Sequence, residues 1–167
     1  PEASGNFVIL NITEEDVERE GGWPLPRQRL ADIQLEILGK GALGVGWVIS
    51  FPQADRMGGD ARFASSLGYA PSVIATFENG KGVYPKTTGT VIKGPDVGGL
   101  QSTGIKQNYS AYDKVIQGVA IAPTEVDQLV RRIPLILKTP TGWSASFGTQ
   151  VLKTLTNTPT YILTTNE

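Results

Sequence analysis

The groups best suited to chemistry in this chain are three scattered aspartates, Asp55, Asp60 and Asp96, and one acidic run, Glu14, Glu15, Asp16, Glu18 and Glu20. Two aspartates brought together can divide into acid and base, and a carboxylate run can hold a cation. Each has a simpler role. Aspartates close turns and cap helices, and acids just after Thr13 complement the dipole of a helix that Thr13 would cap. The chain has no cysteine and no histidine. That removes thiolate nucleophiles, disulfides, zinc sites built from those residues and every histidine-dependent triad. The sequence assigns no catalytic residue, no resident cofactor and no metal.

Other motifs reduce similarly. Gly39-Lys40-Gly41 and the glycines of Leu43 to Gly46 imitate a phosphate loop. They close a helix and enter a strand, however, whereas a phosphate loop follows a strand and opens a helix. Ser65 and Ser66 lie in a helical pattern without a base. Trp23, Trp47 and Trp143 read as packing residues, with a pocket wall as the competing role. Arg131 and Arg132 are neighbours in a strand-like run, so they are expected on opposite faces, one against an acid and one solvated.

The elements that must position these groups follow from periodicity. Phe7 to Ile12 (FVILNI) reads as a buried strand, then Thr13 opens a short acidic helix that Gly21 and Gly22 stop. Trp23-Pro24-Leu25-Pro26-Arg27 is a stiff loop with Pro26 at the first position of a helix to about Leu38. Leu30, Ile33, Ile37 and Leu38, widened by Ala31 and Leu35, form its apolar stripe, and Gly39 stands at its C-cap. Leu43 to Phe51 reads as a strand covered on both faces, whose two glycines admit close helix packing. Asp60 caps a helix with Phe63, Ala64 and Leu67 on one face, ended by Gly68, and Ser72 to Phe77 is a third strand.

The resulting order over 7–77 is βαβαβ, an α/β pattern with right-handed crossovers. Residues 78–108 carry Lys81, Lys86, Lys93 and Lys106 against Glu78 and Asp96. They read as a functional loop with short strands, such as Thr90 to Ile92, or as a mobile excursion. In 109–167, Val115 to Ile121 and Val130 to Leu137 are strand-like, joined through Pro123 to Gln128 in a connection that permits an antiparallel hairpin. Pro134 marks the second as an edge or bulged strand. Phe147, Val151, Leu152 and Leu155 define a last helix beginning near Ser144 or Ser146, and Thr160 to Thr164 a last short strand.

The expected fold is thus a single α/β domain, 1–167, with a mixed, mainly parallel sheet flanked by helices and a C-terminal antiparallel hairpin and helix. Its 167 residues suit one core. Fifteen Lys and Arg against sixteen Asp and Glu, a net charge of −1, give no basic field for nucleic acid. Pro1 and the PEASGNF opening, neither a signal peptide nor a leader, read as the start of an excised piece.

Several segments together resemble the CHASE domains of the second type, extracellular sensory domains of bacterial adenylate cyclases, histidine kinases and serine/threonine kinases. The resemblance rests on FVILNITEEDVEREGGWPLPR, GALGVGWVISFPQAD, GGDARFASSL and VDQLVRRIPLIL. Within them, Trp23-Pro24-Leu25-Pro26-Arg27 matches the family's Trp-Pro-x-Pro-Arg signature, and Asp127 to Arg132 its later turn before an apolar strand. The family's strand-end aspartates are replaced by Asn11 and Thr13, and its middle-strand acid by Val48. The resemblance implies a periplasmic or cell-surface input domain of a membrane receptor, anchored through segments outside this sequence and answering a small-molecule or protein stimulus. A homodimer is compatible with such a receptor.

A sensor is therefore the leading reading. A hydrolase or transferase on an α/β scaffold and a structural protein-binding module are the rivals. In open α/β sheets ligands bind beyond the carboxyl ends of the strands. This places Asn11, Thr13, Ser50, Phe51 and the loop of Asp55 around one crevice, with Trp23 and Arg27 on its rim. Trp23 is also expected to pack on the domain body. Arg27, a cation at a helix start where the dipole favours anions, needs a carboxylate partner, with Glu14, Asp16 or Asp55 at hand, or an anionic ligand.

Overall fold

The computed structural model describes residues 5–87, 89–95, 98–123 and 127–165. Pro1, Asp96 and residues 124–126 of the expected hairpin connection lie outside them.

Thr13 opens α1 (Glu14–Arg19) with a reciprocal capping box, its hydroxyl accepting from the Asp16 amide while Asp16 accepts from the Thr13 amide. Gly21 and Gly22, both at positive φ, end the turn after it. The long helix α2 (Arg27–Gly39) begins one residue later than expected, with Pro26 as its N-cap. Its C-cap is Lys40, and the residue in the left-handed region is Gly41, at φ +93°, instead of Gly39. The buried stripe is Arg27, Leu30, Ala31 and Gln34, one face at helical spacing. Leu35 is exposed and Ile33 and Ile37 only half-buried, so two polar residues occupy core positions that an apolar count assigns elsewhere.

Sequence periodicity overextends the strands here. The run Leu43 to Phe51 contributes only β1 (Val45–Trp47), with Leu43 and Val48 exposed. After α3 (Asp60–Ser66), β2 runs as far as Ser72–Val83. β3 (Gly89–Lys93) and β4 (Ile105–Lys106) follow, so part of the lysine-bearing stretch 78–108 is built into sheets. A 3-10 turn at Ser110–Tyr112 leads into β5 (Ile116–Ala120). Then come β6 (Ile136–Thr139), β7 (Gly142–Ala145), α4 (Phe147–Leu155) and β8 (Thr160–Thr164).

β2 is the centre. It pairs parallel with β1, Val45 opposite Ser72, parallel with β5, Val73 opposite Ile116, and antiparallel with β4, Phe77 opposite Lys106. β3 and β8 form a separate parallel pair. The antiparallel hairpin joins β6 to β7 across Pro140 and Thr141, whereas the sequence pointed to β5 with Val130 to Leu137. Leu129 to Leu135 lie outside any strand, because Pro134 offers no amide for a ladder. Arg131 and Arg132 are accordingly both exposed, and Arg131 pairs with Asp127.

The expected first strand differs most. Phe7 to Ile12 belong to no strand, and Phe7, Val8, Ile9 and Leu10 are exposed. Only Ile12 packs against the core.

Helices cover both faces of the main sheet. Trp47, Phe51, Phe63, Leu67, Ile74 and Tyr112 are buried with Leu25, Leu30 and Ala31 between the sheet and α2–α3. Within this layer the Trp47 indole donates to Gln34 Oε1 at 2.8 Å, and Gln34 Nε2 donates to Ser72 Oγ at 3.0 Å, so these three buried side chains satisfy one another. On the opposite face glycines let α4 approach. A Cβ on Gly46 would lie 3.1 Å from the Phe147 ring, and one on Gly118 2.7 Å from the Phe147 Cα. The close packing expected of the glycines in Leu43 to Phe51 is thus present. Gly118→Ala should cost about 1–3 kcal/mol by overpacking against backbone that cannot turn aside, read as a lowered urea midpoint with unchanged slope.

Candidate functional site

Arg27 is 6 % exposed at the start of α2, where the helix dipole opposes it. Three contacts compensate. Its Nε lies 3.6 Å from Asp60 Oδ1, its NH1 donates to the Leu25 carbonyl at 3.1 Å, and its guanidinium stacks 4.6 Å from the Phe51 ring centroid. The Tyr112 hydroxyl donates to the same Asp60 oxygen at 2.6 Å. The carboxylate that Arg27 needs is therefore supplied by Asp60, in place of Glu14, Asp16 or Asp55. Asp60 does not cap α3 either. Gly59 holds that position, while Asp60 Oδ2 accepts from the Asp55 amide at 2.6 Å.

Asp55 does the capping, for two helices. Its Oδ2 accepts from the Arg27 amide at 3.1 Å and from the Gly59 amide at 3.0 Å, so one carboxylate joins the N-termini of α2 and α3. The two backbone segments meet closely here, since a Cβ on Gly59 would stand 2.5 Å from the Gln28 nitrogen. Partial burial pulls the Asp55 carboxyl upward, but the amides of Gly59, Met57 and Arg27 together outweigh it and hold its pKa below the usual aspartate value. Burial, and then its bond to the Asp60 carboxylate, push the Tyr112 phenol far above its ordinary value.

The expected site residues fall in two places. Arg27, Phe51 and Asp55 belong to this closed cluster, with Phe51 1 % exposed against Phe63 and Tyr112. Thr13 and Trp23 line an open groove of about 400 Å³ with Ile12, Glu14, Val17 and Glu18. Asn11, exposed, and Ser50, half-buried, line neither. Trp47 and Trp143 are buried, as packing requires, but Trp23 is 55 % exposed and its indole forms one wall of the groove. Ile12 and Val17, half-buried against the core, supply its apolar lining, and Glu14 and Glu18, both exposed, supply its acidic lining.

The acidic run is distributed over local contacts. Glu15 and Asp16 pair with Arg19, and Glu20 with Arg29. Among the described residues no group of His, Cys, Asp or Glu is arranged to hold a metal ion. Sequence reading assigned Asp60 to a helix cap and did not single out Tyr112, the two residues that complete the Arg27 cluster. A signal was present: Asp60 follows a glycine pair at a helix start, yet its short side chain is needed elsewhere once Gly59 takes the cap.

The family model described as the CHASE2 domain matches residues 1–165. No curated protein and no solved structure matches the chain.

Two outcomes follow from the cluster. Arg27→Ala should cost about 3–5 kcal/mol, because it leaves Asp60 buried and uncompensated. Arg27→Lys should also lose stability, because an ammonium cannot reach Asp60 and Leu25 in the same planar geometry, and urea denaturation checks both. The second concerns alkali. Tyr112 is held protonated in the fold, so its contribution is fully present below the unfolded tyrosine pKa of about 10 and is lost as pH rises above it. Denaturation midpoints from pH 8 to 11 should fall at the top of that range, and fall less steeply in Tyr112→Phe.

Proposed function

This chain belongs to the CHASE2 domain family, a family of sensory domains, and on that premise we propose that it is the extracytoplasmic, signal-sensing input domain of a bacterial transmembrane receptor, such as an adenylate cyclase or a sensor kinase. The observation that carries this reading is the extent of the match, residues 1–165, essentially the whole chain. No enzyme activity is expected of such a domain. Among the described residues no helix is long and apolar enough to cross a membrane, so in this reading the anchoring segments lie elsewhere in the receptor.

The reading also has support from where the charged groups are. Asp55, Asp60 and Arg27 are occupied with one another and with backbone, and chemistry on a substrate would require dismantling them. The groove, by contrast, offers an accessible indole and two aliphatic side chains under an acidic edge. It suits a stimulus with an apolar body and no negative charge, whether a small molecule or a protein segment. Thr13 and Trp23 would meet that stimulus directly. Arg27, Phe51 and Asp55 would hold the structure behind them, joined to Trp23 through Pro24-Leu25-Pro26. The stimulus acts as a signal only if it binds one state of the receptor more tightly than the other.

The test uses the tryptophans. Trp23 is the accessible one of three, so acrylamide quenching of the domain's fluorescence reports chiefly on it. Thermal-shift screening of metabolite mixtures should identify a component that raises the melting temperature. That component should shield Trp23 from acrylamide. Trp23→Ala should lose about 1 kcal/mol or less of stability, as a half-exposed residue does, while abolishing the ligand's effect. Saturable binding that leaves Trp23 quenching unchanged would remove the groove from the proposal. Turnover of a bound component would overturn the sensor reading itself.

A further inference from the structure

The main sheet has a free edge, and the chain has an exposed apolar segment that belongs to no strand. β1 hydrogen-bonds to β2 on one side, and among the described residues no strand or backbone bridge is paired to its other side. Val48, just beyond it, is 62 % exposed. Phe7, Val8, Ile9 and Leu10 are 74, 82, 85 and 63 % exposed and belong to no element. In a strand these four would alternate between faces, Phe7 and Ile9 on one, Val8 and Leu10 on the other. Both faces would be apolar, the pattern of a strand covered on both sides. The sheet around β1 supplies such cover, with α4 against Gly46 and Phe63 of α3 against Trp47.

We propose that Phe7–Leu10 of one copy adds as a strand to the free edge of β1 in a second copy, and reciprocally, giving a two-fold dimer. A free edge is a ready template for a strand of another chain, and a two-fold interface requires one surface to carry both complementary parts. This chain carries both. Within its own copy the run is held at its far end and does not pair with that edge. Ile12 packs on the core, as does Ile49, and Thr13 caps α1. With those contacts made, residues 7–10 still stand clear while the edge stays open. The other exposed apolar stretch, Leu129 to Leu135, is a poorer strand, since Pro134 lacks an amide and Arg131 and Arg132 interrupt it.

The absence of native cysteine makes the test direct. The Ile9→Cys, Val48→Cys double variant, treated with a short bis-maleimide, should cross-link between copies and run at dimer mass on a denaturing gel. Sedimentation equilibrium of the unmodified chain should show a concentration-dependent dimer. Val8→Asp should weaken that association at least tenfold and leave a folded monomer with an unchanged circular dichroism spectrum. A cross-link confined to single chains would overturn the proposal by placing the segment on its own edge. So would a chain that stays monomeric at every concentration, or a dimer indifferent to Val8→Asp. A Val8→Asp chain that fails to fold would overturn it too, because the run would then belong to its own copy's core.

Discussion

A guanidinium buried at the start of a helix is the constraint around which half of this domain is arranged. Arg27 cannot be left there alone, since an uncompensated buried charge costs several kcal/mol. Its compensation fixes neighbours from three separate stretches of chain. Asp60 must come to it from α3, Tyr112 must satisfy Asp60 from the turn before β5, and Phe51 must present its ring from the end of the β1 segment. Asp55 then closes the arrangement by holding the N-termini of α2 and α3 on one carboxylate. The aromatic packing of Trp47, Phe51, Phe63 and Tyr112, with ring centroids 5.2 to 6.0 Å apart in mostly edge-on contacts, builds on positions that these polar contacts define.

The other face of the sheet is organised by the absence of side chains. Gly46 and Gly118 lie on neighbours of β2, and the room they leave is filled by Phe147 and the following turns of α4. Asn108 adds a polar clip: its carbonyl accepts from the Phe51 amide, and its amide nitrogen donates to the Ala75 carbonyl and to Gln117. The segment after β1, β2 and β5 are thereby tied at one level. A body bound in this way resists deformation, which suits a domain whose proposed task is to pass a binding event to other parts of a receptor. What it leaves accessible is at the N-terminal side, where the groove beside Trp23 and the apolar run before Ile12 occur within one short stretch of chain.

The local chemistry was legible in the sequence wherever a residue acts on its near neighbours. Thr13 before an acidic first turn specified the N-cap of α1, Gly21 and Gly22 the stop after it, and the serines Ser144 and Ser146 the neighbourhood in which α4 starts. The glycines of Leu43 to Phe51 announced a close helix approach. The family's signature, Trp23 to Arg27, was equally plain, as was the need of Arg27 for a carboxylate. Apolar alternation and runs, by contrast, overstated strands. Phe7 to Ile12 and Val130 to Leu137 have the composition of buried strands, but composition alone does not provide a neighbouring backbone with which to pair.

The sequence by itself therefore determined the α/β class, the cap and stop of α1, and the charge at Arg27 that had to be answered. Only the tertiary structure decided which acid answers it, that Asp55 serves two helices, and that Gln34 belongs to the core while Trp23 does not. Those outcomes depend on groups 13 to 38 residues apart meeting in space. Periodicity reports which face of one element is apolar; it carries no information on which distant donor or acceptor that face will find. Burial of a polar residue is stable only when such a partner is present, so the decision passes from the single element to the packed whole.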